Sequence, residues 1–142
     1  MLNVDCFFSS VKCEGDVDMG FLIDASGSIS RKNWVKMKAF VSDTIEEVMK
    51  EDSDNRFGAV AYSTNAEVVF DFNQLGAGAS AADYAGLVDQ AQHSRGLTFI
   101  DKALTLGNSK LFSAAGGMRP DVAKVRNTIL LEISLYWNPM KA

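Results

Sequence analysis

Apolar residues along the chain occur both in short unbroken runs and at helical spacings, and this mixture predicts an α/β fold. Residues 20–23 form an apolar run that suits a strand buried on both faces. After Ser30, apolar residues recur at spacings of three and four, which predicts an amphipathic helix with Ser30 as its N-cap. Those positions are Trp34, Met37, Val41, Ile45, Val48 and Met49. A strand over about 17–23 and a helix after it predict a parallel sheet covered by helices.

Two further strands, 56–63 and 67–72, are predicted after this helix. Only a few turn residues separate them, so we expect an antiparallel hairpin whose second strand forms a sheet edge. The acidic segment 51–55 precedes the hairpin. It lacks the regular ligand spacing and the bidentate glutamate of a calcium loop, and we interpret it as a surface turn.

Patterns in the second half of the chain predict helices around polar turns. A glycine and alanine loop at 74–79 precedes a short helix at 80–92. A second helix runs through Leu111, with Thr98 at its start, where a hydroxyl is ordinarily an N-cap. His93 has no second histidine or cysteine nearby, so we interpret it as a surface loop residue. After a break at 114–121, we expect a short helical turn to about Val125 and a last strand at 128–136.

Composition places the chain among ordinary soluble globular domains. Its 142 residues suit a single domain with a sizeable core, and 47% apolar with 23% charged residues is typical of such domains. The net charge of −4 argues against nucleic acid or an anionic membrane as a partner. No apolar run reaches the roughly 18 residues that cross a bilayer, so we expect no membrane insertion. The first residues lack the basic region of a signal peptide.

Both cysteines, Cys6 and Cys13, lie in a lead-in of residues 1–16. Two cysteines are too few for a disulfide scaffold, and they lack the partners of a zinc site. They can pair with each other, pair with a cysteine outside this chain, or remain free. The sequence leaves these alternatives open.

The motif Asp24-Ala-Ser26-Gly27-Ser28 carries the candidate chemistry. Asp24 follows the first strand, and ligands of open α/β sheets bind at this carboxyl edge. Gly27 allows a tight turn that directs the carboxylate and the two hydroxyls at one point. A hard, oxygen-only cluster of this kind suits Mg²⁺, Mn²⁺ or Ca²⁺. The same pattern is also typical of loops and helix caps, so a purely local role remains an alternative.

The order of these motifs resembles the von Willebrand factor type A domain. The resemblance covers about residues 17–125 and includes the Asp24 motif, Arg56 to Ser63, Gly96 to Thr98 with Ala103-Leu104, Leu111-Phe112 and Arg119 to Val125. It implies a three-layer, Rossmann-like fold with a doubly wound, mainly parallel sheet, ordered 3-2-1-4-5-6 with one antiparallel edge hairpin. The chain then divides into the lead-in, 1–16, and an incomplete domain, 17–142.

The family's metal-ion-dependent adhesion site maps onto Asp24, Ser26, Ser28 and Thr98. Mg²⁺ is the expected cation, with Mn²⁺ and Ca²⁺ as alternatives. One carboxylate leaves such a cation under-neutralised, and an acidic side chain of a partner can complete its charge and coordination. The resemblance thus implies a non-enzymatic adhesion module outside the cell. Its protein partner belongs to the extracellular matrix, as collagen does, or to a cell surface.

The sequence departs from the family pattern after Val125. The family's fourth strand ends in an acid, usually in a Thr-Asp-Gly turn, whereas Arg126 and Asn127 follow here. Glu132 is the nearby acid, but its offset of one residue turns its side chain the other way. Counterparts of the fifth and sixth strands are missing, so we expect a domain truncated after about its fourth strand. An incomplete gene model, a frameshift or an alternative exon would explain the difference.

Two other functional classes fit parts of the sequence. An intracellular type A scaffold is one, although Cys6 and Cys13 suit a secreted protein better. A hydrolase of the aspartyl-phosphate type is the other, because it also places an aspartate after a first strand. Such an enzyme needs a second acid two residues later as proton donor, and Ser26 stands there. The sequence therefore favours adhesion.

Overall fold

The described part of the chain, residues 15–50 and 54–129 of a computed structural model, contains four strands and three α-helices. The strands are β1 (Val17–Asp24), β2 (Arg56–Tyr62), β3 (Ala66–Phe70) and β4 (Ala123–Ile129). The helices are α1 (Arg31–Met49), α2 (Ala81–Asp89) and α3 (Ile100–Leu106), and α3 continues into a π-helical turn, Gly107–Leu111. None of these helices has the length and apolar character needed to cross a membrane.

The strands form one sheet in the order β3-β2-β1-β4. β1 pairs in parallel with both β2 and β4, and β2 pairs antiparallel with β3. The predicted parallel sheet with an antiparallel edge hairpin is confirmed. Because β1 lies between two parallel neighbours, its last residue, Asp24, lies at the switch point of the sheet.

Helices cover both faces of this sheet. Side chains of a strand alternate between its faces, and in β1 Phe21 and Ile23 pack on the side of α1 and α2. Leu22 belongs to the second core, with residues of β2 and α3. The inward residues of α1 are Trp34, Met37, Val41 and Ile45, as its spacing predicts. The predicted three-layer α/β architecture is therefore confirmed.

A pair of glycines lets the π-helical turn approach the second face closely. Gly20 and Gly58 are neighbours in the β1–β2 register. A Cβ atom added at Gly20 would lie 2.5 Å from the ring of Phe112, and one at Gly58 would overlap Leu111. Leu111 is fully buried in this position. The two glycines form the depression into which the turn packs.

Serine caps start two of the helices. The Ser30 hydroxyl accepts a hydrogen bond from the Asn33 backbone, which confirms the predicted start of α1. Ser80 and Asp83 form a reciprocal capping box at α2. Hydrogen bonds from the Ser80 backbone and hydroxyl lower the pKa of the Asp83 carboxyl. The body of α2 ends at Asp89, so it is shorter than the predicted 80–92.

The fourth strand begins earlier than the sequence pattern predicts. The expected helical turn to about Val125 is wrong, because β4 already starts at Ala123. Its register runs from Val17 opposite Ala123 to Ile23 opposite Ile129. Pairing along β1 outweighs the low strand preference of Arg126 and Asn127. Glu132 and the rest of the predicted strand at 128–136 lie outside the described residues, as do Cys6 and Cys13.

Arg119 ties together the amino-terminal ends of three strands. Its Nη2 and Nε atoms donate to Asp18 Oδ1 at 2.6 and 2.8 Å, and its backbone N–H donates to Asp18 Oδ2. Its Nη1 atom donates to Asp54, just before β2. Asp18 in β1 is fully buried. The bonds to Arg119 compensate for the burial of this charge.

Candidate metal centre

The loop after β1 holds a buried carboxylate beside two hydroxyls. Asp24 and Ser26 are 5% and 1% exposed. The backbone N–H of Ser26 donates to Asp24 Oδ1 at 2.8 Å, which fixes the orientation of the carboxylate. This bond is the local turn interaction that Asp-x-Ser sequences favour. It occupies one carboxylate oxygen and leaves acceptor capacity on the other.

The hydroxyls of Ser26 and Ser28 lie at a distance that suits two ligands of one cation. Their Oγ atoms are 3.1 Å apart. Around an octahedral Mg²⁺ with metal–oxygen distances of about 2.1 Å, neighbouring ligand oxygens lie about 3.0 Å apart. The cap of α1 is provided by Ser30, so neither Ser26 nor Ser28 is needed for that role. The donor set therefore fits a small, hard cation.

A second loop, residues 91–99, is bound to the first through its backbone. The Arg95 N–H donates to the Ala25 carbonyl at 2.9 Å, and the Gly27 N–H donates to the Gly96 carbonyl at 2.8 Å. A Cβ atom at Gly27 would lie 2.7 Å from the Arg95 carbonyl oxygen, so this approach requires glycine. Arg95 adopts a left-handed conformation with φ of 59°. These contacts bring the loop that carries Thr98 alongside the Asp24 motif.

Thr98 lies in this second loop with an exposed side chain. Helix α3 begins at Ile100 with Phe99 at its N-cap position, so Thr98 is not the cap residue. Within the described ranges, Thr98 forms no hydrogen bond with Asp24, Ser26 or Ser28. Its role as a fourth ligand stays a prediction.

The turn between β2 and β3 completes this edge of the sheet, although no sequence motif predicted a role for it there. Ser63 is buried, and its hydroxyl lies 2.6 Å from that of Ser94 in the second loop. The Phe99 N–H donates to the Ser63 carbonyl, and the Leu97 N–H donates to the Thr64 hydroxyl. Ser63 and Thr64 follow directly after β2, which runs parallel to β1, and this position is the sequence signal that could have indicated the turn.

His93 lies in the second loop, as the sequence predicts, but it is half-buried and contacts the Asp24 motif. Its Nε2 atom lies 3.1 Å from the carbonyl oxygen of Ser26. Its ring stacks on Trp34 of α1, with centroids 5.0 Å apart and an interplanar angle of 11°. The sequence offered no second ligand to draw attention to this histidine, and its contacts arise only in the folded chain.

Tyr62 pairs with Asp24 in the β1–β2 register. Its hydroxyl is buried and has no hydrogen-bond partner among the described residues. Burial raises the pKa of this phenol, and the negative charge of Asp24 raises it further. The buried phenol is therefore an unused hydrogen-bond donor near the carboxylate.

The described residues contain no group of three histidine, cysteine, aspartate or glutamate side chains that could hold a metal ion. The donors at the Asp24 edge are instead one carboxylate and neutral hydroxyls. Such a set does not resemble the closed nitrogen and sulfur sites of structural zinc. It suits a cation that keeps coordination positions open for water or for an oxygen of another molecule.

Comparison with protein families gives a match to the von Willebrand factor type A domain over residues 18–131. Mouse integrin alpha-X is 34% identical over 78% of this chain, and the human collagen alpha-6(VI) chain is 31% identical over 78%. The aligned regions are 9% and 5% of those two relatives, so the chain corresponds to a small part of each.

Among solved structures, proximal thread matrix protein 1 from the mussel byssus is similar, with a TM-score of 0.70 at 25% identity. The match covers 84% of this chain and 31% of that protein. A second structure of the mussel protein, described as having a zinc-occupied MIDAS motif, has a TM-score of 0.72 at 23% identity. At that identity the likeness shows a shared fold.

Proposed function

The chain belongs to the von Willebrand factor type A domain family, and from this membership we propose that it is a metal-dependent adhesion module. Asp24, Ser26, Ser28 and Thr98 are its proposed ligands for a divalent cation, with Mg²⁺ preferred over Mn²⁺ or Ca²⁺. The main support is the pair of Ser26 and Ser28 hydroxyls, 3.1 Å apart beside a buried carboxylate. This spacing suits adjacent positions around one small cation.

The proposed mode of partner binding follows from the balance of charges at the metal site. A bound divalent cation supplies a positively charged site with open coordination positions. Asp24 neutralises part of that charge, and the serine and threonine hydroxyls add none. A surplus of positive charge at the carboxyl edge of the sheet attracts an acidic side chain of a partner. Binding of this kind needs no nucleophile or general base, so we propose a binding module and not an enzyme.

Relatives of the chain include integrin alpha chains, collagen chains and vitrin. We therefore propose a protein of the extracellular matrix, such as a collagen, or of a cell surface as the partner. An extracellular location follows from the same proposal. The intracellular scaffold and the hydrolase of the aspartyl-phosphate type remain the alternatives, and no described contact favours either of them.

Calorimetric titration of the chain with Mg²⁺ and Mn²⁺ tests the metal site. Wild-type protein is expected to bind one cation, and Asp24→Ala to lose at least about tenfold in affinity because the charged ligand is gone. Asp43→Ala is the matched control, since Asp43 is an exposed aspartate on α1. Equal affinity of wild type and Asp24→Ala would refute the site.

The same two variants test the adhesion itself. In Mg²⁺, wild type and Asp43→Ala should bind immobilised collagen or another matrix protein, and Asp24→Ala should not. EDTA should release the wild-type protein. Adhesion that survives both EDTA and Asp24→Ala would show that a metal-independent face carries the binding.

A further inference from the structure

We infer that His93 is a positioning residue of the candidate metal centre, where its side chain orients Ser26; this inference rests on the proposed metal site. The residue lies outside the proposed ligand set. It acts on that set through the backbone of one ligand residue.

The hydrogen bond of His93 has a defined direction. Its Nε2 atom lies 3.1 Å from the Ser26 carbonyl oxygen. A carbonyl oxygen can only accept, so Nε2 carries the proton and donates. The N–H on the other side of Ser26 donates to Asp24 Oδ1 at 2.8 Å. The Ser26 carbonyl also accepts a hydrogen bond from the Ile29 N–H of its own loop, at 3.2 Å. His93 adds a side-chain bond from the second loop to this carbonyl, and the Ser26 hydroxyl lies 3.1 Å from that of Ser28.

The orientation of the His93 imidazole is restricted by its contact with Trp34. Its ring is nearly parallel to the indole of Trp34, and Trp34 is 5% exposed in the core under α1. Stacking on a buried aromatic ring restricts rotation of the imidazole and keeps Nε2 directed at Ser26. The ring of His93 therefore connects α1, the second loop and the Asp24 motif.

The bond from His93 differs in kind from the other two bonds between these loops. Arg95 to Ala25 and Gly27 to Gly96 are backbone–backbone bonds, which many sequences could form. The bond to Ser26 depends on the side chain at position 93. Loss of this donor should leave the loops attached through their backbones and the Ile29 bond to Ser26 intact, while the Ser26 carbonyl loses its one described side-chain bond to the second loop and its orientation becomes less restricted. We expect weaker metal binding without loss of the fold, as for other residues that orient metal ligands.

Three substitutions at position 93 separate the effect of the hydrogen bond to Ser26 from the effect of stacking on Trp34. His93→Phe keeps an aromatic ring on Trp34 and removes the donor. His93→Gln keeps a donor, because its amide nitrogen lies as many bonds from Cα as Nε2 of histidine does. His93→Asn carries the same amide on a shorter side chain, so it tests whether the donor must extend as far as Nε2 of histidine. Mn²⁺ affinity is measured by calorimetry, and stability by urea unfolding in EDTA.

His93→Phe and His93→Asn are expected to lose about tenfold in Mn²⁺ affinity, and His93→Gln to stay within about twofold of wild type. Stability of His93→Phe in EDTA should stay near that of wild type, because the stack is kept. Equal Mn²⁺ affinity in all four proteins would overturn the inference and leave the proposed function intact. Affinity lost in parallel with stability, without rescue by glutamine, would also overturn it. A wild-type protein that binds no Mn²⁺ would instead refute the proposed function.

Discussion

Tyr62 lies beside Asp24 in the sheet with a buried hydroxyl that has no hydrogen-bond partner among the described residues. A polar group in this state costs free energy, because its hydration is lost and not replaced. Burial and the nearby Asp24 charge both favour the neutral phenol and raise its pKa in the folded chain. In the unfolded chain the phenol returns to its ordinary pKa near 10.

The substitution Tyr62→Phe should therefore change the pH dependence of stability. Above about pH 10 the unfolded chain releases this proton while the folded chain retains it, so rising pH favours unfolding. The contribution of Tyr62 is complete below that pH and is lost as pH rises towards the folded pKa. Urea unfolding in EDTA from pH 7 to 11 should show a steeper fall in unfolding free energy for wild type than for Tyr62→Phe.

At pH 7 the same variant should be more stable than wild type, by up to about 1–3 kcal/mol, because the substitution removes a buried hydroxyl that forms no hydrogen bond among the described residues. Parallel pH profiles of the two proteins would contradict the assignment of a raised pKa to Tyr62. A large loss at pH 7 would show that the hydroxyl has a partner in solution.

At the scale of elements, close contact between the π-helical turn and the sheet depends on the absence of side chains at Gly20 and Gly58. Phe112 lies over Gly20 and packs edge-on against Phe72, with ring centroids 5.4 Å apart. The ring therefore has neighbours on more than one side. An added methyl group at Gly20 would require the Phe112 ring, or the turn that carries it, to shift.

Gly20→Ala should lower the unfolding free energy by about 1–3 kcal/mol, the usual cost of overpacking a core. Gly86→Ala is the matched control, because Gly86 lies within α2 and an added Cβ there meets nothing within 4 Å. That change should stabilise the protein by up to about 1 kcal/mol through helix propensity. Urea unfolding measures both. A Gly20→Ala protein as stable as wild type would show that Phe112 can move aside at little cost.

Across the whole molecule, the candidate metal centre and the Arg119 network lie at opposite ends of the strands. The Asp24 edge carries the loops with the hydroxyl side chains, whereas Arg119 joins β1, β2 and the segment before β4 around the buried carboxylate of Asp18. A buried carboxylate that loses its cationic partner costs more than the pair contributes, since its charge is left without compensation. We therefore expect the network to determine whether β4 docks.

Arg119→Leu should lower the unfolding free energy by about 3–5 kcal/mol at pH 7. Lys38→Leu, which breaks the exposed pair with Asp89, is the control and should cost less than about 1 kcal/mol. Adding Asp18→Asn to Arg119→Leu should recover part of the loss, because the uncompensated charge is removed. Equal effects of Arg119→Leu and Lys38→Leu in urea unfolding would show that Asp18 is not effectively buried.

The local features of this protein were determined by the sequence itself. The apolar run before Asp24 predicted β1, the spacing after Ser30 predicted α1, and the short turn between two apolar segments predicted the hairpin. These signals work because side-chain periodicity and capping act between residues close in sequence. The place of Asp24 at the end of β1, with Ser26 and Ser28 in the turn after it, follows from the same local rules.

Tertiary structure alone decided the features that depend on distant residues. The early start of β4 follows from pairing with β1 and from the bonds of Arg119 to Asp18, which are 101 positions apart in the chain. The stack of His93 on Trp34 and its bond to Ser26 likewise join segments that share no local pattern. Propensity is a weak preference that long-range pairing and burial override, so periodicity could not reveal these contacts.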